Sequence, residues 1–269
     1  MIKPGMNTID FDAIEWIHDR GPVGSIYDNA YTVTNENLYG ETQLTPDAKD
    51  VLTIAGSGDQ ALFYTLNGAT NIDTFDITIS AAAIQEIKFA ALKMNIPYNE
   101  YIQLLRNLHF AKNILDVKYI PEILERIDPL AAYYIRGCNT NQIFSYGLPA
   151  DPHYNNIISP TEYTQLQNMQ KPAPTFYWGP AQKISEQLGN KQYDAINLSN
   201  IFDRKPECLP NTITKLSRHL KPKGKIIIEE HNPLVEQLFN QTTKNAPLKN
   251  IGQPTKIYGH NWLVFQRTR

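Results

Sequence analysis

The sequence predicts an α/β fold, with about five parallel strands followed by an antiparallel hairpin near the end of the chain. Three observations predict it. Short apolar strands alternate with helical segments between residues 51 and 94, the same alternation resumes after residue 174, and two strand-like segments near the end flank Gly259, His260 and Asn261. A parallel sheet covered by helices is the usual solution for such a pattern.

The first strand is the short, partly β-branched run at 51–55, which stops at Gly56 and Gly58. A helix-compatible segment at 60–66 follows, and 72–77 is the second strand. Residues 80–94 place apolar side chains at helical spacing, with Ser80 as the N-cap. The order strand, helix, strand, helix is typical of a parallel α/β sheet.

The alternation stops between 95 and 174, where amphipathic stretches indicate a helical insertion. Before residue 50 we expect one helix at 10–19 and then an irregular segment rich in Asn, Tyr and Thr. The predicted organisation is an N-terminal lid at 1–50 and a ligand-binding domain at 51–269 that carries the insertion.

After the insertion the sequence predicts further strands and helices in alternation. The strands are 175–178, 193–198 and 224–230, and the helices are about 180–188 and 211–220. The final hairpin joins 256–258 to 262–265.

The composition argues against several classes of function. The 269 residues carry 25 Lys and Arg against 27 Asp and Glu, a net charge of −2, with no extended basic run. We therefore expect no nucleic-acid partner and no anionic membrane surface. No apolar run reaches the roughly 20 residues that span a bilayer, so no stable membrane insertion is expected. Cys138 and Cys208 lack metal-site spacing, and the sequence predicts a cytoplasmic protein without a metal.

The segment from Gly56 to Ala61 fits the pattern G-x-G-x-x-[GA] between a strand and a helix. Asp76 lies at the end of the next strand, at the distance expected of a carboxylate that accepts hydrogen bonds from ribose hydroxyls. The pattern predicts a nucleoside-binding loop. The alternative is a tight turn in which Asp76 caps a helix.

Two classes of cofactor fit this geometry, dinucleotides and S-adenosylmethionine. The carboxylate of Asp59 lies within the loop, where it would repel a pyrophosphate but suit a ligand with a sulfonium and an ammonium group. This favours S-adenosylmethionine. A NAD-dependent oxidoreductase and a non-catalytic nucleoside-binding domain remain the alternatives.

The strand and glycine loop at 51–58, the acidic strand end at Asp76 and the Leu-Lys-Pro-x-Gly stretch at 220–224 resemble the class I S-adenosylmethionine-dependent transferases. That resemblance implies a Rossmann-like, seven-stranded, mostly parallel sheet with an antiparallel last strand. Residues 35–38, 51–60 and 86–93 further resemble a poorly characterised family. It is related to the S-adenosylmethionine:diacylglycerol 3-amino-3-carboxypropyl transferase of betaine-lipid synthesis.

The resemblance and the strand ends together give the candidate site. The candidates for cofactor binding are Gly56, Ser57, Gly58, Asp59, Gln60, Asp76, Ile77, Trp178, Gly179, Ser199, Asn200, Tyr31 and Asn35. The tyrosine belongs to the predicted lid, where its ring would face the sulfonium. His231 follows the strand at 224–230 and is the candidate general base.

The predicted function is transfer of a methyl or 3-amino-3-carboxypropyl group from S-adenosylmethionine to a small-molecule or lipid-like acceptor. Residues 197–203 do not form the Asn/Asp-Pro-Pro-Tyr motif of amino methyltransferases. The carbon attached to a sulfonium leaving group is already electrophilic, so catalysis by the chain is expected to consist mainly of positioning and exclusion of water.

Overall fold

The computed structural model describes residues 2–3, 30–34, 38–110, 112–137, 144–145, 158–202, 205–230, 232–242, 248–250, 255–257 and 260–268. The strands are β1 (Ile2–Lys3), β2 (Ala30–Tyr31), β3 (Asp50–Ile54), β4 (Asn71–Asp76), β5 (Phe144–Ser145), β6 (Thr175–Trp178), β7 (Tyr193–Asn197), β8 (Leu220–Glu230), β9 (Leu248–Asn250), β10 (Thr255–Ile257) and β11 (His260–Arg267). The helices are α1 (Leu38–Leu44), α2 (Asp59–Leu66), α3 (Ile79–Lys93), α4 (Tyr98–Phe110), α5 (Ile120–Leu124), α6 (Pro129–Gly137), α7 (Pro160–Met169), α8 (Ala181–Gln187), α9 (Leu209–Leu216) and α10 (Pro233–Thr242). The predicted helix at 10–19 lies outside the described residues.

The chain forms two compact units. Unit 1 consists of Met1–Asn35, Ala55–Leu62 and Asp76–Trp178, and unit 2 of Glu36–Ile54, Phe63–Phe75 and Gly179–Arg269. The chain passes from unit 2 to unit 1 directly after β3, so the predicted glycine loop belongs to unit 1. Each unit is described separately.

Unit 2 is built on a sheet whose strands follow the order β4-β3-β7-β8-β11-β10, with β9 paired to β11. The strands from β4 to β8 pair in parallel. The pairs that β11 makes with β8, β9 and β10 are antiparallel. The predicted α/β class and the antiparallel end of the sheet are therefore confirmed, and β10 and β11 form the predicted terminal hairpin.

Buried, partly β-branched strands form the centre of this sheet. Val51 of β3 lies opposite Ile72 on one side and Ala195 on the other. The valine and the alanine pack with Tyr64 and other buried side chains in one core cluster. Burial of these apolar side chains holds β3 in the middle of the sheet, and so fixes where the loop after it begins.

Asp194 anchors the start of the parallel strands. Its Oδ2 accepts hydrogen bonds from the N–H groups of Lys49 and Asp50, each at 2.9 Å, and from Lys221 Nζ at 3.1 Å. Burial alone would raise the pKa of this carboxyl, but the two N–H groups and the ammonium outweigh burial and hold the pKa below its ordinary value. The ionised carboxylate therefore stabilises the folded state.

Unit 1 contains the parallel pairs β1 with β6 and β2 with β5, together with α3 to α7. Residues 79–92 of α3 are all buried, as expected of a helix covered on every side. Helix α7 begins with a capping box, in which the Ser159 N–H donates to Glu162 Oε2 at 2.7 Å and the Glu162 N–H donates to the Ser159 hydroxyl at 3.3 Å. Helices α4 to α7 lie within 95–174, whereas the division into a lid and a domain stays a prediction.

We expect Asp194→Asn to lower the free energy of unfolding by about 1 to 2 kcal/mol near neutral pH, because it removes a charge that three donors stabilise. Since the pKa of Asp194 is depressed in the folded state, its contribution is present above the unfolded-state value of about 3.9 and is lost as the pH falls through the lower folded value.

Urea unfolding of both proteins at about pH 6 and about pH 3 measures this. The difference between wild type and variant should shrink at the lower pH. The exposed Asp116, changed to Asn, is the matched control. A difference that is the same at both pH values would contradict the assignment to Asp194.

Candidate functional site

The loop after β3 turns sharply at two glycines. Gly56 has φ +49° and Gly58 has φ +82°, and the Gly58 N–H donates to the Ala55 carbonyl at 2.6 Å. A Cβ on Gly58 would lie 2.9 Å from the Cα of Gln85 in α3. Only glycine satisfies both the left-handed φ and this close approach, so the loop needs the residue type that the pattern predicts.

Asp76 lies beside this loop at the end of β4. The Gly56 N–H donates to Asp76 Oδ2 at 3.1 Å, and the Thr78 N–H donates to Oδ1 at 3.1 Å. These two backbone donors orient the Asp76 carboxylate toward the turn of the loop. The turn of the glycine loop and the acidic strand end are thus joined directly by a hydrogen bond.

An apolar surface adjoins the carboxylate. Ile77 follows Asp76 directly, and 41% of its surface is exposed. The Trp178 indole N–H donates to the Ile77 carbonyl at 3.0 Å, which holds the end of β6 against this residue. A carboxylate next to an exposed aliphatic side chain and an indole matches the chemistry of a nucleoside, which has a polar ribose and an apolar base.

Asp59, the first residue of α2, is held by groups of the protein itself. Its carboxylate forms an ion pair with Lys88 of α3. Its Oδ2 also accepts from the Thr34 N–H at 2.9 Å and from the Ser57 hydroxyl at 2.8 Å. Direct contact between Asp59 and a cofactor stays a prediction.

The sequence favoured S-adenosylmethionine over a dinucleotide because of the negative charge of Asp59, and the ion pair with Lys88 removes that argument. Lys88 is completely buried, and the side chain of Asp59 is 7% exposed. Burial lowers the pKa of Lys88, and the adjacent carboxylate opposes that shift. Because the ammonium neutralises the carboxylate, the charge of Asp59 no longer separates a sulfonium ligand from a pyrophosphate.

Gln60 and Ser57 complete the loop as buried residues. Gln60 is 1% exposed, and its side-chain amide would lie 3.4 Å from a Cβ on Gly56. The Ser57 hydroxyl accepts from the Asp59 N–H at 3.3 Å. Both side chains support the turn from within, and their contact with a ligand stays a prediction.

Unit 2 contains three further candidates. Ser199 has φ +48° and is buried, and its N–H donates to Asn197 Oδ1 at 2.9 Å. Asn197 Nδ2 in turn donates to Oε2 of the fully buried Glu41 at 2.6 Å. These two hydrogen bonds hold the loop after β7, where Asn200 is half-buried. Gly179 follows β6 with φ +150°.

Three candidates are not described at the level of side chains. Asn35 and His231 lie outside the described residues, and only the backbone of Tyr31 is described, in β2. Their roles in cofactor binding and as a general base stay predictions.

Sequence analysis missed Lys88, Thr34, Glu41 and Asn197. For Lys88 a signal existed, because this lysine lies four positions after Ile84 and four before Leu92, in a segment that is mostly apolar. Thr34 contributes a backbone N–H, which no sequence pattern reveals. Glu41 and Asn197 are 156 residues apart in the chain, and only the fold brings them together.

The chain is similar to several solved structures of methyltransferases. No protein-family model matches this chain, and no curated protein matches it. Among solved structures, the rRNA methyltransferase aviRa from Streptomyces viridochromogenes is 12% identical, with a TM-score of 0.47, and the match covers 91% of this chain and 90% of that one. An rRNA methylase from Streptococcus thermophilus is 7% identical, with a TM-score of 0.45 and coverage of 87% and 98%. A putative methyltransferase from Streptococcus mutans in complex with SAH is 9% identical, with a TM-score of 0.43 and coverage of 86% and 98%.

These structures correct the predicted partners. Two of the three proteins are methylases of rRNA, which contradicts the predicted exclusion of a nucleic-acid partner, and the small-molecule or lipid-like acceptor is not confirmed. The exclusion rested on a net charge of −2 and on the lack of a basic run. Neither quantity measures how basic side chains cluster on the folded surface, and that clustering determines whether a protein binds phosphates.

In the described part of the chain, no helix combines the length and the apolar character that a membrane span needs.

We expect Gly58→Ala to lower the free energy of unfolding by about 2 to 4 kcal/mol, because a left-handed φ and a clash with Gln85 both oppose the new Cβ. Gly189→Ala is the matched control, since Gly189 has φ +58° but nothing within 4 Å of its Cβ position. It should cost only about 1 to 2 kcal/mol. Urea unfolding measures both variants, and equal losses would show that the loop does not press against α3.

Proposed function

We propose that this chain is an S-adenosylmethionine-dependent methyltransferase that holds its cofactor on the loop at 56–58. The observation that carries the proposal is the 3.1 Å hydrogen bond from the Gly56 N–H to Asp76 Oδ2. It places a sharply turned backbone next to a carboxylate suited to ribose hydroxyls. The exposed side chain of Ile77 then lies where the base would pack.

The topology of unit 2 supports S-adenosylmethionine rather than a dinucleotide. Strand β11 pairs antiparallel with β8, at the end of the sheet where a dinucleotide-binding fold continues in parallel. This argument replaces the one from the charge of Asp59, which Lys88 neutralises.

The chemistry divides between the cofactor and the chain. S-adenosylmethionine supplies an electrophilic methyl carbon on a sulfonium leaving group. The chain orients that carbon through Asp76, Ile77 and the glycine loop, and the buried surroundings of the loop limit the access of water. Ser199 and Asn200, after β7 of unit 2, stay candidates for ligand binding, as predicted from the sequence.

Isothermal calorimetry tests the cofactor. We expect S-adenosylmethionine and S-adenosylhomocysteine to bind, and NADH to bind much more weakly. Tight NADH binding without S-adenosylmethionine binding would instead indicate an oxidoreductase. If neither ligand binds, the glycine loop is a structural turn without a role in binding.

Asp76→Ala should weaken S-adenosylmethionine binding at least tenfold, or by about 1.4 kcal/mol, since it removes charge-assisted hydrogen bonds to ribose. Asp73→Asn is the control on the same strand, where the carboxylate accepts from Lys191 at 2.6 Å and from Tyr193 at 2.7 Å. Unchanged affinity in the Asp76 variant would refute the proposed position of ribose.

The product identifies the transferred group. Methyl transfer leaves S-adenosylhomocysteine, whereas transfer of the 3-amino-3-carboxypropyl group leaves methylthioadenosine. We expect mass spectrometry after incubation with a cell extract to detect enzyme-dependent S-adenosylhomocysteine. If methylthioadenosine forms instead, the chain transfers the 3-amino-3-carboxypropyl group and the proposed methyl transfer is wrong.

A further inference from the structure

Asp59 gathers donors from three separate stretches of unit 1. Lys88 reaches it from the middle of α3, Ser57 from the glycine loop, and the Thr34 N–H from the segment at 30–34. Asp59 itself begins α2. A single carboxylate therefore joins the loop, two helices and the N-terminal segment.

Because Asp59 and Lys88 are both buried, each compensates the charge of the other. Lys88 is fully buried, and the side chain of Asp59 is 7% exposed, so each charge depends on the other for compensation. A lone carboxylate could hold the Thr34 N–H only at the cost of an uncompensated buried charge. Lys88 is thus the counter-charge for a carboxylate that also accepts hydrogen bonds from Thr34 and Ser57.

The segment at 30–34 is built into unit 1. Ala30, Thr32, Val33 and Thr34 are all buried. Strand β2 pairs in parallel with β5, with Ala30 opposite Phe144. One end of the segment is thus held by strand pairing, and the other end is held to the start of α2 by the Thr34 hydrogen bond at 2.9 Å.

We propose that Asp59 and Lys88 form a latch that holds the segment at 30–34 against the glycine loop, and that this latch governs how long the cofactor stays bound. Asp59 is then a positioning residue, which acts on the cofactor through the loop and the segment. The inference rests on the proposed function only in its second part, because the latch itself is a property of the free protein.

Two double variants separate the hydrogen bond from the charge pair. D59N/K88M replaces the ion pair by neutral side chains but keeps a side-chain oxygen that can accept from the Thr34 N–H. D59L/K88M is equally neutral and lacks that oxygen. Replacing a buried ion pair by neutral side chains of similar volume is often tolerated, which makes both variants suitable for comparison. Ser57→Ala controls for the loss of the Ser57 hydroxyl bond.

The readouts are amide hydrogen exchange at Thr34 in the free protein and the dissociation rate of S-adenosylmethionine. Both should be about tenfold faster in D59L/K88M than in D59N/K88M, as expected for the loss of one buried hydrogen bond. Ser57→Ala should show a smaller effect on Thr34. Equal rates of exchange and of dissociation in the two double variants would overturn the latch.

A second variant keeps the proposal testable if D59L/K88M does not fold. Thr34→Pro removes the N–H donor and leaves both charges in place. It should speed dissociation of S-adenosylmethionine relative to wild type, and an unchanged rate would count against the latch. If the wild-type protein binds no S-adenosylmethionine, the proposed function fails, while exchange at Thr34 still decides whether the latch exists.

Discussion

The buried ion pair between Asp59 and Lys88 constrains the candidate site more than any other described interaction of unit 1. Its carboxylate fixes the first turn of α2, receives Thr34 from the N-terminal segment and accepts from Ser57. Helix α3 must pass close to the loop for Lys88 to reach it, and the contact between the Gly58 and Gln85 positions is the consequence. The requirement for glycine at position 58 and the lysine on α3 are therefore two results of the same close packing.

The sequence predicted those parts of the fold and site that depend on neighbours in the chain. Strand β3, the glycine turn and Asp76 follow from local spacing, and the structure brings Gly56 and Asp76 into direct contact. The antiparallel hairpin at the end also follows from local pattern, and β10 and β11 form it.

What the sequence could not predict depends on contacts made across the fold. Lys88 stands out in the sequence as a lysine within a mostly apolar helix, but its partner Asp59 lies 29 residues away in the chain, and only the fold brings the two together. Glu41 and Asn197 meet through the fold of unit 2. The error about partners has the same origin, since net charge averages over a surface whose local arrangement is decided by folding.

A crystal structure of the protein with S-adenosylhomocysteine tests the central claim most directly. We expect the ribose hydroxyls within about 3 Å of the Asp76 carboxylate. We also expect the adenine beside Ile77, and Asp59 still paired with Lys88. A ligand bound away from Asp76, or an Asp59 carboxylate that leaves Lys88 to contact the ligand, would contradict the account.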